Sequence, residues 1–312
     1  MTTCLFTHPA CIEHDPSPAH PESPERLRRV LQVLDAPDFE ALARREAPRA
    51  TTAQIAAMHP ESQIDRIFSK LPQSGYAQID RDTIASPGSG EAALRAAGAL
   101  VAAVDAVMEK QTDNAFCAVR PPGHHAEAEQ SMGFCLFNNV AIGAAHARSA
   151  HGVGRIAVMD FDVHHGNGTQ AMFWDEPDML YASTHQSPLY PGTGSASERG
   201  ATGNIVNVPL PPGAGSEDFR TAMSATILPA IRKFEPELLF ISAGFDAHLR
   251  DPLAQLQFTT DDYIWATEKL CDIADNCCGG RVISTLEGGY DLDALGESVA
   301  AHVQVLMARS GG

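Results

Sequence analysis

The sequence predicts a three-layer α/β/α domain with a mainly parallel central sheet. Short apolar segments alternate with longer segments of helical periodicity along all 312 residues, an order typical of α/β folds. The apolar segments are continuous rather than alternating with polar residues, as expected for strands that are covered on both faces. Hydrophobic residues make up 44% of the chain, enough for one large core. We therefore expect one domain that spans residues 1–312.

The apolar segments predict six strands. They lie at 3–8, 115–120, 155–161, 179–184, 238–244 and 281–286. Helices are predicted between them. The first begins at Pro24, because Ser23 is a typical cap residue and proline is favoured at the first helical position. The second is rich in alanine and leucine over 90–110, and the others span roughly 138–149, 217–234, 260–276 and 292–308.

Composition excludes several classes of partner. A net charge of −17 opposes binding to the phosphates of nucleic acids. No apolar run reaches the roughly 20 residues of a membrane span, and the first residues do not resemble a signal peptide. The seven cysteines are an odd set without CxxC spacing, which suits a reducing compartment. We expect a cytoplasmic protein without nucleic-acid or membrane partners, and homo-oligomer formation stays open.

Polar clusters directly follow five of the predicted strands. These clusters are "RPPGHH", "DFDVHHGNG", "STHQSPLYPGTG", "AGFDAHLRDP" and "LEGGYD". In parallel α/β sheets, ligands bind beyond the carboxyl ends of the strands. We therefore expect the five clusters to meet on one rim and to form the functional site.

The cluster "DFDVHHGNG" has the spacing of a metal site. Residues two apart in an extended segment point the same way, so Asp162 and His164 can share one ion, with Asp160 one step deeper on the same face. Asp246, just beyond the strand at 238–244, is the natural third ligand. Zinc accepts nitrogen and oxygen ligands, and three protein ligands plus water are typical of catalytic zinc.

Two adjacent histidines and one tyrosine supply proton-transfer and hydrogen-bonding groups. His124 and His125 follow a glycine, and either ring can take a proton from water or return one to a leaving group. Asp160 and Asn167 are available to orient them, and the histidine held by the amide is expected to be the readier base. Tyr290 follows two glycines and can donate a hydrogen bond to an oxyanion.

These motifs together resemble the histone deacetylase family of the arginase/deacetylase superfamily. The resemblance rests on "RPPGHHAE", "MGFCLFNNVAIGA", "DFDVHHGNGTQ", "YPGTG", "NVPLPPG", "SAGFDAHLRDPL" and "EGGYD". It runs from about residue 5 to 305, with the motifs in family order. It is stronger for the class II and bacterial histone-deacetylase-like amidohydrolase branch, because class I members carry aspartate where this chain has Asn167.

The resemblance implies specific metal and catalytic roles. One zinc ion would be bound by Asp162, His164 and Asp246. The catalytic groups would be His124, His125, Asp160, Asn167 and Tyr290. A structural potassium ion would be bound by Asp160, by the carbonyls of Asp162, His164 and Thr184, and by the Ser183 hydroxyl.

The resemblance also implies a tunnel for the acyl-lysine side chain. Its walls would be Gly133, Phe134 and Tyr190, and many relatives carry phenylalanine in place of the tyrosine. Leu253 would lie at the tunnel mouth, and Asp82 is a candidate for binding the substrate backbone.

The function expected from these residues is zinc-dependent hydrolysis of an acetyl amide. The substrate would be an acetylated lysine peptide or protein, or a small acetylated amine. An acetylpolyamine amidohydrolase is the main alternative, although a neutral Leu253 argues against it, because polyamine-selective relatives tend to have an acidic residue there. A non-catalytic acyl-lysine binding module and an arginase-type two-manganese hydrolase are weaker alternatives, since all the catalytic residue types are present and "DFDVHH" suits one metal.

Overall fold

Eight parallel strands form the central sheet of the computed structural model, which describes residues 2–311. Within that range the strands are β1 (Thr3–Thr7), β2 (Ala43–Glu46), β3 (Ala77–Gln78), β4 (Ile84–Ala85), β5 (Asn114–Cys117), β6 (Ile156–Asp160), β7 (Met179–Gln186), β8 (Ile205–Leu210), β9 (Leu238–Ala243) and β10 (Val282–Leu286). The order across the sheet is β2-β1-β5-β10-β9-β6-β7-β8, and β3 and β4 form a separate antiparallel pair.

Helices cover both faces of this sheet. They are α1 (Pro24–Leu34), α2 (Thr52–Ala56), α3 (Glu61–Lys70), α4 (Ser89–Met108), α5 (Asn139–His151), α6 (Asn167–Phe173), α7 (Ser216–Ala222), α8 (Leu228–Phe234), α9 (Thr260–Cys278) and α10 (Leu292–Ala308). Parallel strands are joined by right-handed crossovers. The connections that run toward the β8 edge contain α4, α5 and α6, so these helices lie on one face of the sheet. The connections that run toward the β2 edge contain α1, α7, α8 and α9, so these helices lie on the opposite face.

The structure confirms the predicted three-layer α/β fold. All six predicted strands are present within a few residues of the expected bounds, and their side chains are almost entirely buried. The predicted helix at 217–234 is interrupted by a π-helical turn at Met223–Ile227. No helix in the described part of the chain is long and apolar enough to cross a membrane.

Two strands of the sheet were not predicted, and both lie at its edges. β2 has the sequence "ARRE" and is largely exposed, so it lacks the apolar run that identifies a covered strand. β8 has buried and half-buried positions and contains Pro209, which is tolerated because β8 has a partner on one side only.

Candidate metal and active site

Two neighbouring strands bring the three predicted metal ligands together. Asp162 and His164 follow β6, and Asp246 follows β9, which pairs with β6 in the sheet. His164 Nδ1 lies 3.2 Å from Asp162 Oδ1 and 3.2 Å from Asp246 Oδ2. The three ligand atoms lie within 4.8 Å of one another. The carboxylates are fully buried and the imidazole is slightly exposed, so the cluster opens toward solvent on its histidine side.

The hydrogen bonds of the two carboxylates leave one oxygen free for a cation. Asp162 accepts from the backbone N–H of Gly288 at 2.8 Å and of His164 at 2.9 Å. Asp246 Oδ1 accepts from Val163 N at 2.9 Å, but Asp246 Oδ2 is buried without a hydrogen bond. A buried carboxylate oxygen that accepts no hydrogen bond is costly. Burial raises the pKa of the Asp246 carboxyl, and the nearby Asp162 charge raises it further. These residues therefore fit a bound divalent metal ion.

Two glycines allow the backbone to pass close to these carboxylates. A Cβ on Gly244 would overlap the Asp162 carboxylate, and a Cβ on Gly288 would overlap Asp246 Oδ2 and crowd Asp162. Both positions therefore require glycine.

The paired histidines have different partners on their Nδ1 atoms. His124 Nδ1 lies 3.0 Å from Asp160 Oδ2, and His125 Nδ1 lies 2.9 Å from Asn167 Oδ1. The Asn167 amide group donates to Glu127 Oε1 at 2.7 Å, so its oxygen faces His125. Both rings therefore carry their proton on Nδ1 when neutral and keep Nε2 for chemistry.

Burial and the neighbouring charges separate the pKa values of the two rings. Burial opposes protonation of His124, but the charges of Asp162 and Asp160 outweigh it and raise its pKa well above the ordinary histidine value. Burial lowers the pKa of His125 well below that value, and the positive charges of His124 and His164 lower it further. His125 is therefore the neutral ring that can accept a proton, while His124 holds one.

Tyr290 is placed by a backbone turn that requires glycine. Gly289 has a φ of +122°, a region that side-chain-bearing residues rarely adopt. The Tyr290 N–H donates to Asp251 Oδ2 at 2.7 Å. Burial raises the pKa of the Tyr290 phenol well above its ordinary value, so the hydroxyl keeps its proton and can act as a hydrogen-bond donor.

The predicted tunnel residues lie around this centre. The Tyr190 ring is 5.2 Å from the His125 ring, and the Phe134 ring is 6.1 Å from the Tyr290 ring, measured between centroids. Gly133 has a φ of +56°, and a Cβ there would overlap His125.

Asp82 contacts two of the predicted tunnel residues, and Leu253 contacts Asp251. Asp82 Oδ1 accepts from Gly133 N at 3.0 Å. Burial raises the pKa of the Tyr190 phenol, and the hydrogen-bonded Asp82 carboxylate raises it further. Leu253 is half-buried, and its N–H donates to Asp251 Oδ1 at 3.0 Å. Asp251 therefore connects Leu253 to Tyr290, a link that the sequence did not indicate.

The side chains of the predicted potassium site lie on β6 and β7 and are buried. Asp160 and Ser183 are register partners on β6 and β7, and Thr184 follows directly. Asp160 also accepts from the Tyr181 hydroxyl at 3.0 Å and from Asp162 N at 3.1 Å. The Thr184 hydroxyl is buried without a hydrogen bond.

A buried ion-pair network that sequence reasoning missed supports the Tyr290 loop. Glu22 pairs with Arg26 at 2.9 Å, with Arg120, and with His14 at 3.3 Å, and all four side chains are buried. Arg26 Nε and Nη2 donate to the carbonyls of Gly289 and Glu287, each at 2.5 Å. The i,i+4 spacing of Glu22 and Arg26 was visible in "PESPER", but exposed helical pairs have the same spacing.

Glu287 is the other functional candidate that the sequence did not single out. Its carboxylate accepts from Gly123 N at 2.7 Å and from the Ser242 hydroxyl at 3.1 Å, so it joins three strand ends. It also accepts from His124 N at 3.2 Å. The only signal in the sequence was an acidic residue directly after an apolar strand.

Comparisons with known proteins identify the family. The model of the histone deacetylase domain matches residues 20–306. This chain belongs to the histone deacetylase family. It is 41% identical to the histone deacetylase-like amidohydrolase of Pseudomonas aeruginosa, over 87% of this chain and 72% of that protein. It is 37% identical to a probable deacetylase of Archaeoglobus fulgidus, over 94% and 82% of the two chains.

A solved structure has the same fold. The crystal structure of the HDA15 HD domain superposes with a TM-score of 0.92 at 34% identity, covering 98% of this chain and 88% of that one. Since the named relatives are deacetylases or amidohydrolases, the expectation of a hydrolytic enzyme of the histone deacetylase family is confirmed. Membership also implies a metal cofactor, and Asp162, His164 and Asp246 form a candidate site for it.

Proposed function

We propose that this protein is a zinc-dependent deacetylase that removes acetyl groups from the side-chain amine of N-acetyl-lysine or a related acetylated amine. The observation that carries the proposal is the hydrogen-bond-free Asp246 oxygen, which faces His164 and lies beside Asp162 in a buried cluster. One nitrogen and two oxygen donors suit zinc, and three protein ligands leave a position for a reactant. Zinc bound there supplies a Lewis acid that polarises the acetyl carbonyl and activates water near neutral pH.

The histidines and the tyrosine supply the remaining steps. His125, held neutral, accepts a proton at Nε2 as water attacks the acetyl carbon. The Tyr290 hydroxyl donates a hydrogen bond to the carbonyl oxygen as negative charge develops there. His124 keeps the positive charge that favours this oxyanion, and a protonated histidine returns a proton to the departing amine as the C–N bond breaks.

The aromatic walls favour a linear substrate. Phe134 and Tyr190 offer apolar surface to the four-methylene stem of lysine, and Asp82 beside Tyr190 has a carboxylate that can bind the substrate backbone. The neutral Leu253 at the mouth supplies no charge for the second ammonium of an acetylated polyamine. We therefore favour an acetylated lysine peptide or protein over an acetylpolyamine.

A potassium ion with a structural role is part of the proposal. Asp160 would supply the negative charge, and the Ser183 hydroxyl and the carbonyls of Asp162, His164 and Thr184 would supply the other oxygens. The buried side chains of Asp160 and Ser183, which are register partners on β6 and β7, support a shared ion in this region. We also infer a cytoplasmic protein, because the cysteines of the described residues are all free, as is usual in a reducing compartment. We further infer that residues 1–312 form one catalytic domain.

The test is a parallel assay of one purified preparation. Acetyl-lysine peptides, trifluoroacetyl-lysine and acetylated polyamines are compared before chelation, after chelation, and after zinc is restored. We expect turnover of the acetyl-lysine substrates, its loss with the chelator, and its recovery with zinc. Activity that survives removal of the metal would contradict zinc dependence, and a preference for acetylpolyamines would favour the alternative substrate.

A further inference from the structure

A second group of metal-ligating side chains lies outside the active site. Asp105 is on α4, and His146 and His151 are on α5. The Nε2 atoms of both histidines lie 2.7 Å from the same carboxylate oxygen, Asp105 Oδ1. The ligand atoms of all three residues lie within 4.8 Å of one another. We propose that Asp105, His146 and His151 form a second site for a divalent transition-metal ion such as zinc.

The helices hold these three residues in place. A Cβ on Gly143 would lie 3.0 Å from the Leu100 Cβ, so α4 and α5 are closely packed one turn before the cluster. His151 is the last residue of α5, and Gly152 ends the helix with a φ of +64°. Because the helix ends at Gly152, His151 has a fixed place in its last turn, five residues after His146. The frame is therefore built before any ion binds.

The donor chemistry is that of zinc and related ions. Two imidazoles and one carboxylate are borderline ligands that suit zinc, copper or nickel better than calcium or magnesium. Zinc lies about 2.0–2.1 Å from such atoms, which places tetrahedral ligand atoms about 3.3 Å apart. Each Nε2 atom lies 2.7 Å from Asp105 Oδ1, so the imidazoles need to move only slightly away from the carboxylate to admit the ion.

Exposure and charge also allow an ion to enter. The side chains of His146, His151 and Asp105 are 14%, 17% and 42% exposed, so the site is reached from solvent. The nearest basic side chain on α5, Arg148, pairs with Glu176 at 2.8 Å and leaves Asp105 to the histidines. The Asp105 carboxylate supplies negative charge that attracts a cation to the site.

This site is independent of the proposed zinc centre. The first residues of α5 lie beside the catalytic loop, since Asn139 donates to the Pro121 carbonyl. His146 and His151 lie about 10 Å and 18 Å further along that helix, at 1.5 Å per residue. The second ion would therefore join α4 to α5 and take no part in the reaction.

The experiment counts bound zinc in the full-length protein. Samples are dialysed against rising, buffered concentrations of free zinc, and zinc per chain is measured for the wild type and for variants. Asp105→Asn keeps a hydrogen-bond acceptor for the histidines but removes the anionic ligand, and His146→Ala with His151→Ala removes both imidazoles. His8→Ala is the control, because its partly exposed ring lies outside both clusters. Circular dichroism without added zinc checks that each variant is folded.

We expect two zinc ions in the wild type and in His8→Ala, and one in both cluster variants. Saturating zinc should also raise the unfolding temperature of the wild type more than that of Asp105→Asn, because the ion binds only the folded form. Two zinc ions in either folded cluster variant would overturn the proposal. So would a wild type that binds one ion and loses it in Asp246→Ala. A third outcome is that the wild type binds one ion, which is lost in the cluster variants but kept in Asp246→Ala. That outcome would support the second site and would contradict the zinc centre of the proposed function.

Discussion

The Arg26 guanidinium carbon lies 4.8 Å from the centre of the Tyr290 ring. The same side chain donates to the carbonyl of Gly289, the residue before that tyrosine, at 2.5 Å. Arg26 is fully buried and is held in turn by Glu22. The position of Tyr290, the proposed oxyanion donor, therefore depends on the Glu22–Arg26 ion pair at the start of α1.

We predict that Glu22→Gln destabilises the protein strongly. The change leaves the buried Arg26 and Arg120 without their negative partner. Removing one member of a buried ion pair typically costs about 3–5 kcal/mol. Glu25→Gln is the matched control, because Glu25 and Arg28 are 58% and 50% exposed, and an exposed pair contributes at most about 1 kcal/mol. Denaturant unfolding at neutral pH measures both, and equal losses would contradict the network's role.

We predict that Tyr290→Phe reduces kcat and leaves the fold intact. The phenyl ring keeps its contact with Arg26 and Phe134 but loses the hydroxyl that donates to the developing oxyanion. Loss of one such donor typically lowers the rate by about 10²–10³. Tyr76→Phe removes a hydroxyl from a side chain that is 51% exposed and should leave kcat unchanged. A rate within a few-fold of wild type in Tyr290→Phe would show that this hydroxyl is not the donor.

We predict that Asn167→Asp shifts the acidic limb of the pH–rate profile to higher pH. The new carboxylate would lie at the position of an oxygen now 2.9 Å from His125 Nδ1 and would favour the protonated ring. The pKa of His125, now lowered by burial, would rise, and the base would be inactivated by protonation at a higher pH.

Asn276→Asp is the control for this profile, because it adds the same charge at an exposed position on α9. Its acidic limb should coincide with that of the wild type. An unchanged or lowered limb in Asn167→Asp would contradict either the pairing with His125 or the role of His125 as the base.

We predict that Leu253→Glu narrows or reverses the preference for acetyl-lysine over N8-acetylspermidine. A carboxylate at the tunnel mouth would attract the second ammonium of the polyamine, an effect of about 1 kcal/mol or a few, or roughly tenfold in relative kcat/KM. Gln111→Glu adds the same charge at an exposed position beside the amino end of β5 and should leave the ratio unchanged. A wild-type ratio that already favours the polyamine would contradict the proposed substrate.

Much of the fold was predictable because its central strands are apolar on both faces. β6 and β9 were identified as continuous apolar runs, and the polar residues that follow them predicted the rim of the site. β2 was not predictable, because its exposed "ARRE" segment becomes a strand only by pairing with β1. Local sequence does not show such long-range pairing.

The metal cluster was predictable from spacing, but its support was not. The two-residue spacing of Asp162 and His164 indicated a shared ion, and the chain does bring Asp246 to them. Glu22 and Asp251 gain their roles only from burial and from partners far away in sequence, such as Tyr290. Acidic residues with similar neighbours in sequence also occur at exposed positions, so sequence alone could not distinguish these buried acids from surface ones.

The most direct test of the central claim is the zinc content and activity of Asp246→Ala. Asp246 supplies the buried oxygen that no hydrogen bond satisfies. Asp35→Ala is the control, because Asp35 is a surface aspartate that is 71% exposed. Zinc per chain and kcat/KM for an acetyl-lysine peptide are measured on the same preparations. We expect Asp246→Ala to lose one zinc ion and nearly all activity together, while Asp35→Ala keeps both. Full zinc content with near-normal turnover in Asp246→Ala would contradict the account.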